Sequence, residues 1–288
     1  MSLKMVKRPD NSQLIERLQR LRGERFVYFP NPGNAGDSLI AASTYQLFSD
    51  LNLEYDLFQD VESFDGRTVV LGGGGNFIPQ YRAIRAAILK CYRHAAAIVL
   101  LPHTVRGNED VVSMLGSNAD IFCRDVISYQ HVLECRSAAR AFLGHDMAFG
   151  LDVQRFLQDE DLCRMAKALI DRKIPKKRPL VQMFSTAPVR FFFRNDKEKT
   201  SRIVPKSSLD LSSLFKSDVQ PGSAQVSAAA LFLYLSDPLE VHTDRLHIGI
   251  AASLLGKRVY LYDNSYGKNA GVYRHSIHSN FPDVQLIP

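Results

Sequence analysis

The feature that most narrows the fold is a repeated alternation of short, wholly apolar runs, glycine-marked turns and helical patterns. Phe26-Val27-Tyr28-Phe29 is a buried-strand pattern that stops at Pro30. A polar, glycine-rich turn follows, and Ser38 to Asp50 reads as a helix with Leu39, Ala42, Leu47 and Phe48 on its apolar side. Thr68-Val69-Val70-Leu71 repeats the strand, Gly72 to Gly75 the turn, and Tyr81 to His94 the helix. Ala97 to Leu101 is a third strand, ended by Pro102, and Ile121-Phe122-Cys123 precedes a helix from Val126 to Cys135. Ala141-Phe142-Leu143 leads into the loop Gly144-His145-Asp146. Runs apolar on both faces belong in a parallel sheet covered by helices, so the expected class is α/β. Loops at the carboxyl ends of such strands line a crevice where ligands bind.

Near Gly150 the pattern changes. Phe156 to Ile170 reads as a connecting helix, and Lys173 to Pro179 is a basic, proline-punctuated linker. A second α/β unit follows: strand Leu180 to Phe184, helix Ala224 to Leu235, strand Leu239-Glu240-Val241, helix Arg245 to Leu255 and strand Val259 to Tyr262. The expected organisation is a Rossmann-like domain over 1–152, a connecting helix and linker over 153–178, and a second Rossmann-like domain over 179–288. A cleft is expected at their junction. Ser185 to Gly222 has no clean periodicity and is expected to form an active-site flap.

The chain of 288 residues is 45% hydrophobic and 23% charged, which allows a sizeable core and excludes global disorder. A formal charge of +6 suits an anionic substrate, a membrane surface or nucleic acid. No aromatic-basic nucleic-acid module is visible, so no nucleic-acid partner is expected. Cys91, Cys123, Cys135 and Cys163 are far apart, which suggests neither a zinc site nor a disulfide framework; no metal is expected. Met1 to Asp10 lacks the apolar core of a secretory signal, and no run of roughly eighteen apolar residues is present to span a bilayer. The expected location is cytoplasmic, with basic residues able to hold the protein peripherally on anionic lipid.

Several loops carry chemistry. In Asn31-Pro32-Gly33-Asn34-Ala35-Gly36-Asp37, glycines permit close backbone approach and the following helix end favours an anion, while Asp37 has helix capping as its plain alternative role. Gly72-Gly73-Gly74-Gly75-Asn76 is costly in chain entropy, and a substrate lying on the backbone would explain Gly73, Gly74 and Gly75. His103 and Arg106 stand just past a strand; Arg124 and Asp125 end another, where Asp125 is expected to cap the next helix and Arg124 to bind an anion or pair with that Asp. Arg194 follows three phenylalanines, a setting for a guanidinium on a carboxylate or phosphate, or else for a surface pair with Asp196 or Glu198. The sharpest cluster is Val241-His242-Thr243-Asp244-Arg245-Leu246-His247. Thr243 or Asp244 can cap a helix starting at Arg245, which puts Arg245 and His247 in its first turn, against the dipole preference. An anion bound there would explain both; the plainer alternative pairs Arg245 with Asp244 and buries His247.

The ordered set Asn34-x-Gly36-Asp37, Gly72–Gly75, Leu101-Pro102, Arg124-Asp125 with Ser128-Tyr129, Asp146, Arg194-x-Asp196-x-Glu198, Thr243-Asp244-Arg245-Leu246-His247 and Asp263-Asn264 resembles the polysaccharide pyruvyl transferase family. The likeness runs from about Asn31 to about Lys268, and Arg-Leu-His followed by Ala-Ala-Ser-Leu-Leu-Gly-Lys is its most specific part. His103-Thr104 stands where many relatives have Gln-Ser, and the chain looks like the branch of succinoglycan-type enzymes. The resemblance implies a GT-B-like fold, two Rossmann-type domains facing across a cleft. It implies phosphoenolpyruvate as donor and co-substrate, with no further cofactor. The acceptor would be a saccharide, lipid-linked at the inner membrane face, and the product a cyclic pyruvate ketal of an exopolysaccharide or cell-surface glycan. It implies Arg245 and His247 as donor-binding and catalytic residues, with Arg194 from the flap; Thr243 and Asp244 are candidate donor-binding residues of the same cluster. His247 is expected as general acid and His103 or Asp37 as base. Asn34, Gly36 and Asn76 are expected on the acceptor or ligand loops, and Arg106, Arg124, Asn264 and Lys268 are further candidates. A nucleotide-sugar glycosyltransferase on the same architecture and a non-catalytic saccharide-binding protein are the two rival readings.

Overall fold

The computed structural model of the chain describes residues 7–174, 189–196, 203–264 and 267–288. The predicted strand Leu180 to Phe184 and most of the basic linker lie outside the described residues. Internal contacts group Pro9–Pro32 with Ser43–Gly150 in one compact unit, and Gly33–Ala42 with Leu151–Pro288 in the other. The sheets are parallel throughout. Among the described residues no helix is long and apolar enough to cross a membrane.

The first unit holds seven strands: β1 (Phe26–Phe29), β2 (Tyr55–Leu57), β3 (Thr68–Leu71), β4 (Gly74–Phe77), β5 (Ala97–Val105), β6 (Ala119–Cys123) and β7 (Arg140–Leu143). Their order is β2-β1-β3-β5-β6-β7, with β4 also pairing with β5. The inner strands β1, β3, β5 and β6 are almost wholly buried, as unbroken apolar runs require. From β1 the chain goes outward to β2 and returns to β3 on the other side. The topological switch point therefore lies between β1 and β3, at the carboxyl ends that carry the two glycine-rich loops. Edge-to-face packing of Tyr28 on Tyr45 and Phe48, with centroids 5.6 and 5.0 Å apart, seats the helix Ala35–Asp50 on β1. That helix starts three residues before the Ser38 expected from periodicity.

Three other expectations need correction here. Gly72 to Gly75 is not a simple turn, because Gly74 and Gly75 open β4, which runs beside the second half of β5. Pro102 does not end its strand; β5 continues to Val105, and Pro102 falls where the pairing with β6 shifts register between Leu100 and His103. A proline is tolerated there because no ladder amide is needed. Arg140–Leu143, read as a lead into a loop, is the edge strand β7, and its partial exposure blurs the apolar signal.

The second unit holds β8 (Val189–Phe192), β9 (Glu240–Thr243), β10 (Arg258–Tyr262) and β11 (Val284–Ile287), in the order β11-β10-β9-β8. Helices Ser223–Leu235 and Leu246–Leu254 are apolar nearly all round, which fits their burial. The expected flap is in part sheet. Val189–Phe192 pairs with β9 along its length, and Phe192 is buried, so this aromatic run is strand rather than loop, the last in the sheet among the described residues.

At the break between β3 and β4, a Cβ on Gly72 would stand 2.8 Å from the Asn31 amide nitrogen and 2.9 Å from the Phe29 oxygen. Both are backbone atoms that cannot step aside. Gly72→Ala is expected to destabilise by roughly 1–3 kcal/mol, measured by urea unfolding; a midpoint equal to wild type would contradict the packing described.

Candidate functional site

In the second unit the site begins with strand register. Thr243 of β9 stands opposite Phe192 of β8 and Leu261 of β10, so the next residues on all three strands emerge at one carboxyl edge. Those residues include Arg194, Arg245 and Asn264. The Thr243 hydroxyl donates to the Phe192 carbonyl at 2.6 Å and accepts from the Arg245 amide at 3.0 Å. The Asp244 carboxylate accepts the Arg194 amide at 2.9 Å. Its carbonyl accepts from the Asn269 side chain at 2.8 Å, and the same amide group donates to the Tyr262 carbonyl at 2.8 Å. Thr243 and Asp244 thus tie three strand ends together. Neither side chain caps the next helix, which starts at Leu246 with Arg245 in extended backbone at its N-cap. Burial pushes the Asp244 carboxyl above the usual carboxylate range, against the Arg194 amide and the charges of Arg194 and Arg245.

Arg245 is buried and pairs with carboxylates, though not with the neighbouring Asp244. Its Nε lies 3.1 Å from Asp210 Oδ1 and its Nη2 2.5 Å from Asp210 Oδ2, a two-pronged fork. Nη2 also lies 2.8 Å from Asp196 Oδ2. Arg194 reaches the same carboxylate, with Nε 3.0 Å from Asp196 Oδ1. Burial works against the Arg245 charge, but the hydrogen bonds and charges of Asp210 and Asp196 outweigh it and raise its pKa. The result is two guanidinium groups at one sheet edge, both buried and both paired with carboxylates.

His247 lies in the first turn of Leu246–Leu254, half-buried. It packs on Gly36 so closely that a Cβ there would come within 2.4 Å of its Nδ1. The sequence predicted both residues as candidates, and the fold brings them together. Around Gly36, Asn34 Oδ1 accepts the Gly36 amide at 2.8 Å and Asp37 Oδ2 accepts the Asn34 amide at 2.7 Å, a reciprocal cap. Asp37 therefore has the capping role weighed against its catalytic one. Asn264 accepts the Lys268 amide at 2.9 Å, while its own buried Nδ2 has no hydrogen-bond partner among the described residues.

The candidates of the first unit form a separate, buried polar group. His103 lies inside β5, fully buried, with Nε2 3.1 Å from Asn76 Oδ1. Burial and then the Arg124 charge push its pKa down to about 3, so the ring is neutral and a weak base. Asn76 exchanges hydrogen bonds with Asn31, which also donates to the Gly73 carbonyl. A Cβ on Gly73 would lie 2.7 Å from the Pro102 oxygen, so the close approach this glycine permits is to the protein's own backbone. Arg124, fully buried, donates to Asp146 at 2.5 Å and to Thr104 at 2.9 Å. Asp125 caps Val126–Glu134 and pairs with Arg106 at 2.9 Å, not with Arg124. Among the described residues, no group of three or more His, Cys, Asp or Glu side chains is placed to hold a metal ion.

Sequence reasoning missed Asp210 as the support of Arg245. Asp210 announces itself only as a helix cap, accepting from Ser213, and nothing local ties it to a residue thirty-five positions on.

The buried pair Arg124–Asp146 supplies a stability test. Asp146→Ala is expected to cost ~3–5 kcal/mol by stranding a buried guanidinium, and Arg124→Met with Asp146→Leu to recover most of it. Chemical denaturation measures both, and equal losses in the single and double variants would refute the pairing energetics.

Against known proteins, the family model described as polysaccharide pyruvyl transferase matches residues 34–266. That span begins at the Asn34 cap and takes in Arg194, Arg245 and His247. No curated protein matches significantly. Among solved structures, a functionally uncharacterized protein from Klebsiella pneumoniae subsp. pneumoniae is similar, with 28% identity and a TM-score of 0.75, over 97% of this chain and 99% of the other. By the extent of the family match, the chain belongs to the polysaccharide pyruvyl transferase family.

Proposed function

We propose that the protein transfers a pyruvyl group from phosphoenolpyruvate to a saccharide. The product is a cyclic ketal bridging two sugar hydroxyls, with release of phosphate, in the synthesis of an exopolysaccharide or cell-surface glycan. The observation that supports this most is the pairing of two buried guanidinium groups, Arg194 and Arg245, at the edge where His247 opens the next helix. Phosphoenolpyruvate carries a carboxylate and a phosphate on a three-carbon frame. Two planar cations close together suit it better than a single anchor.

In this reading Arg245 and Arg194 bind the donor, and Asp210 keeps Arg245 charged and aimed. His247 delivers a proton to the enol carbon C3, and positive charge develops at C2. A sugar hydroxyl attacks C2, and the C2–O bond to phosphate breaks. A second hydroxyl then closes the ketal. Of the two hydroxyl protons, one replaces that taken from His247 and the other leaves with phosphate. Asn264, whose buried amide nitrogen has no hydrogen-bond partner among the described residues, is a further donor for the bound substrates. The acceptor is a saccharide, lipid-linked at the inner membrane face in this proposal; no cofactor beyond the co-substrate is invoked. His103, buried and neutral, is dropped as general base in favour of a role in holding Asn76.

The direct test is phosphate release from phosphoenolpyruvate that depends on added glycan. His247→Ala is expected to lower it by about 10²–10⁴-fold, as loss of a general acid does. Arg245→Ala is expected to lose about 10²–10³-fold together with donor binding. Gly36→Ala should displace the His247 ring, so turnover falls while phosphoenolpyruvate still raises the melting temperature. Near-normal turnover of His247→Ala, or stabilisation by nucleotide sugars but not by phosphoenolpyruvate, would overturn the proposal.

A further inference from the structure

The position between the two arginines is already filled by an anion, and that anion is a side chain of the protein. Asp196 Oδ1 lies 3.0 Å from Arg194 Nε, and its Oδ2 lies 2.8 Å from Arg245 Nη2 and 3.4 Å from Arg194 Nη2. A single carboxylate bridges both guanidinium groups, much as a substrate carboxylate would have to. The two carboxylates at this edge differ in kind. The Asp210 side chain is 3% exposed, takes the Arg245 fork on both oxygens, and is itself fixed by the Asn195 amide and by Ser213. The Asp196 side chain is 38% exposed, although both arginine side chains are 5% exposed. Asp210 is built as a support. Asp196, the more exposed of the two, is the carboxylate that an incoming anion would displace, its charge passing into water.

We infer that Asp196 is an internal competitor for the two-arginine site and so sets how tightly an anion must bind to occupy it. The inference rests on reading that site as the donor site. A tethered carboxylate competes at an effective concentration in the millimolar range or above. Every external anion must displace it, so every apparent affinity falls by the same factor. A monovalent or weakly held anion then fails to occupy the site at ordinary concentrations. A ligand that brings a carboxylate and a phosphate to the two arginines together still binds. Asp196 keeps the arginines paired and aimed in the meantime, which prevents two like charges from facing each other uncompensated.

The test is calorimetric titration of the wild-type chain, Asp196→Asn and Asp196→Ala with phosphoenolpyruvate and, separately, inorganic phosphate. Removing the competitor is expected to tighten both ligands by a similar factor, about ten-fold or more. Asp210→Asn, which loosens Arg245, is expected to weaken both. Unchanged or weaker binding in both Asp196 variants, with wild-type binding of phosphoenolpyruvate intact, would overturn the inference and make Asp196 a positioning residue. Tighter phosphate binding in the variants with no response to phosphoenolpyruvate in any form would uphold the competitor and sink the donor assignment. Silence of all the proteins toward both ligands would overturn the inference as well.

Discussion

The fork between Arg245 and Asp210 governs the carboxyl edge of the second sheet. A guanidinium that is 5% exposed keeps its charge only if carboxylates offset the lost hydration, and Asp210 offers both oxygens to it. Asp210 in turn is held by Asn195 and Ser213, so the support reaches back into β8 through the residues that follow it. Thr243 and Asp244 lock the same strand ends together through backbone groups. The consequence is preorganisation. The cation is held in one orientation by the fold itself, with both prongs of its fork engaged.

Parallel register makes this edge possible. Side-by-side strands with Phe192, Thr243 and Leu261 in one rung must deliver their next residues to the same end. A parallel sheet gathers chemistry at its carboxyl edge for that reason, and the ligand rule for such folds is a consequence of register. The first unit obeys it too. There, however, the gathered groups are spent on one another: His103 on Asn76, Arg124 on Asp146, Arg106 on Asp125.

Much of the fold could be read from the sequence, because buried parallel strands write themselves as apolar runs. β1, β3, β6 and β10 were recognisable in that way, as were the helices that follow the first three; the helix Lys268–Val272 after β10 was not. Partly exposed strands were not: in β2, β7 and β8, mixed composition conceals the period. Pro102 misled for a local reason, since a register shift supplies the one place where a strand tolerates it. Within the candidate site, Arg245 and His247 stood out as polar residues after an apolar strand, Arg194 as a cation after three phenylalanines, and Gly36 as part of a glycine-rich turn. Their partners were not. The grouping of Gly33–Ala42 with the C-terminal half, and of Asp210 with Arg245, arises from contacts between distant parts of the chain that no local pattern encodes.

Four arginines near strand ends looked alike in the sequence, and the structure separates them by the carboxylates they meet. Arg124 and Arg106 pair with Asp146 and Asp125, both fully buried and both engaged elsewhere: Asp146 accepts the Ala148 amide and Asp125 caps a helix. Those carboxylates cannot leave without exposing an unpaired charge to a dry interior. Arg194 and Arg245 share Asp196, whose side chain is 38% exposed and can be hydrated when displaced. The exposure of the partner, more than that of the arginine, therefore decides whether a buried cation is structural or exchangeable. On the proposed reading, one side of Arg245 is fixed by the buried Asp210 and the other meets the more exposed Asp196, which a substrate anion would displace.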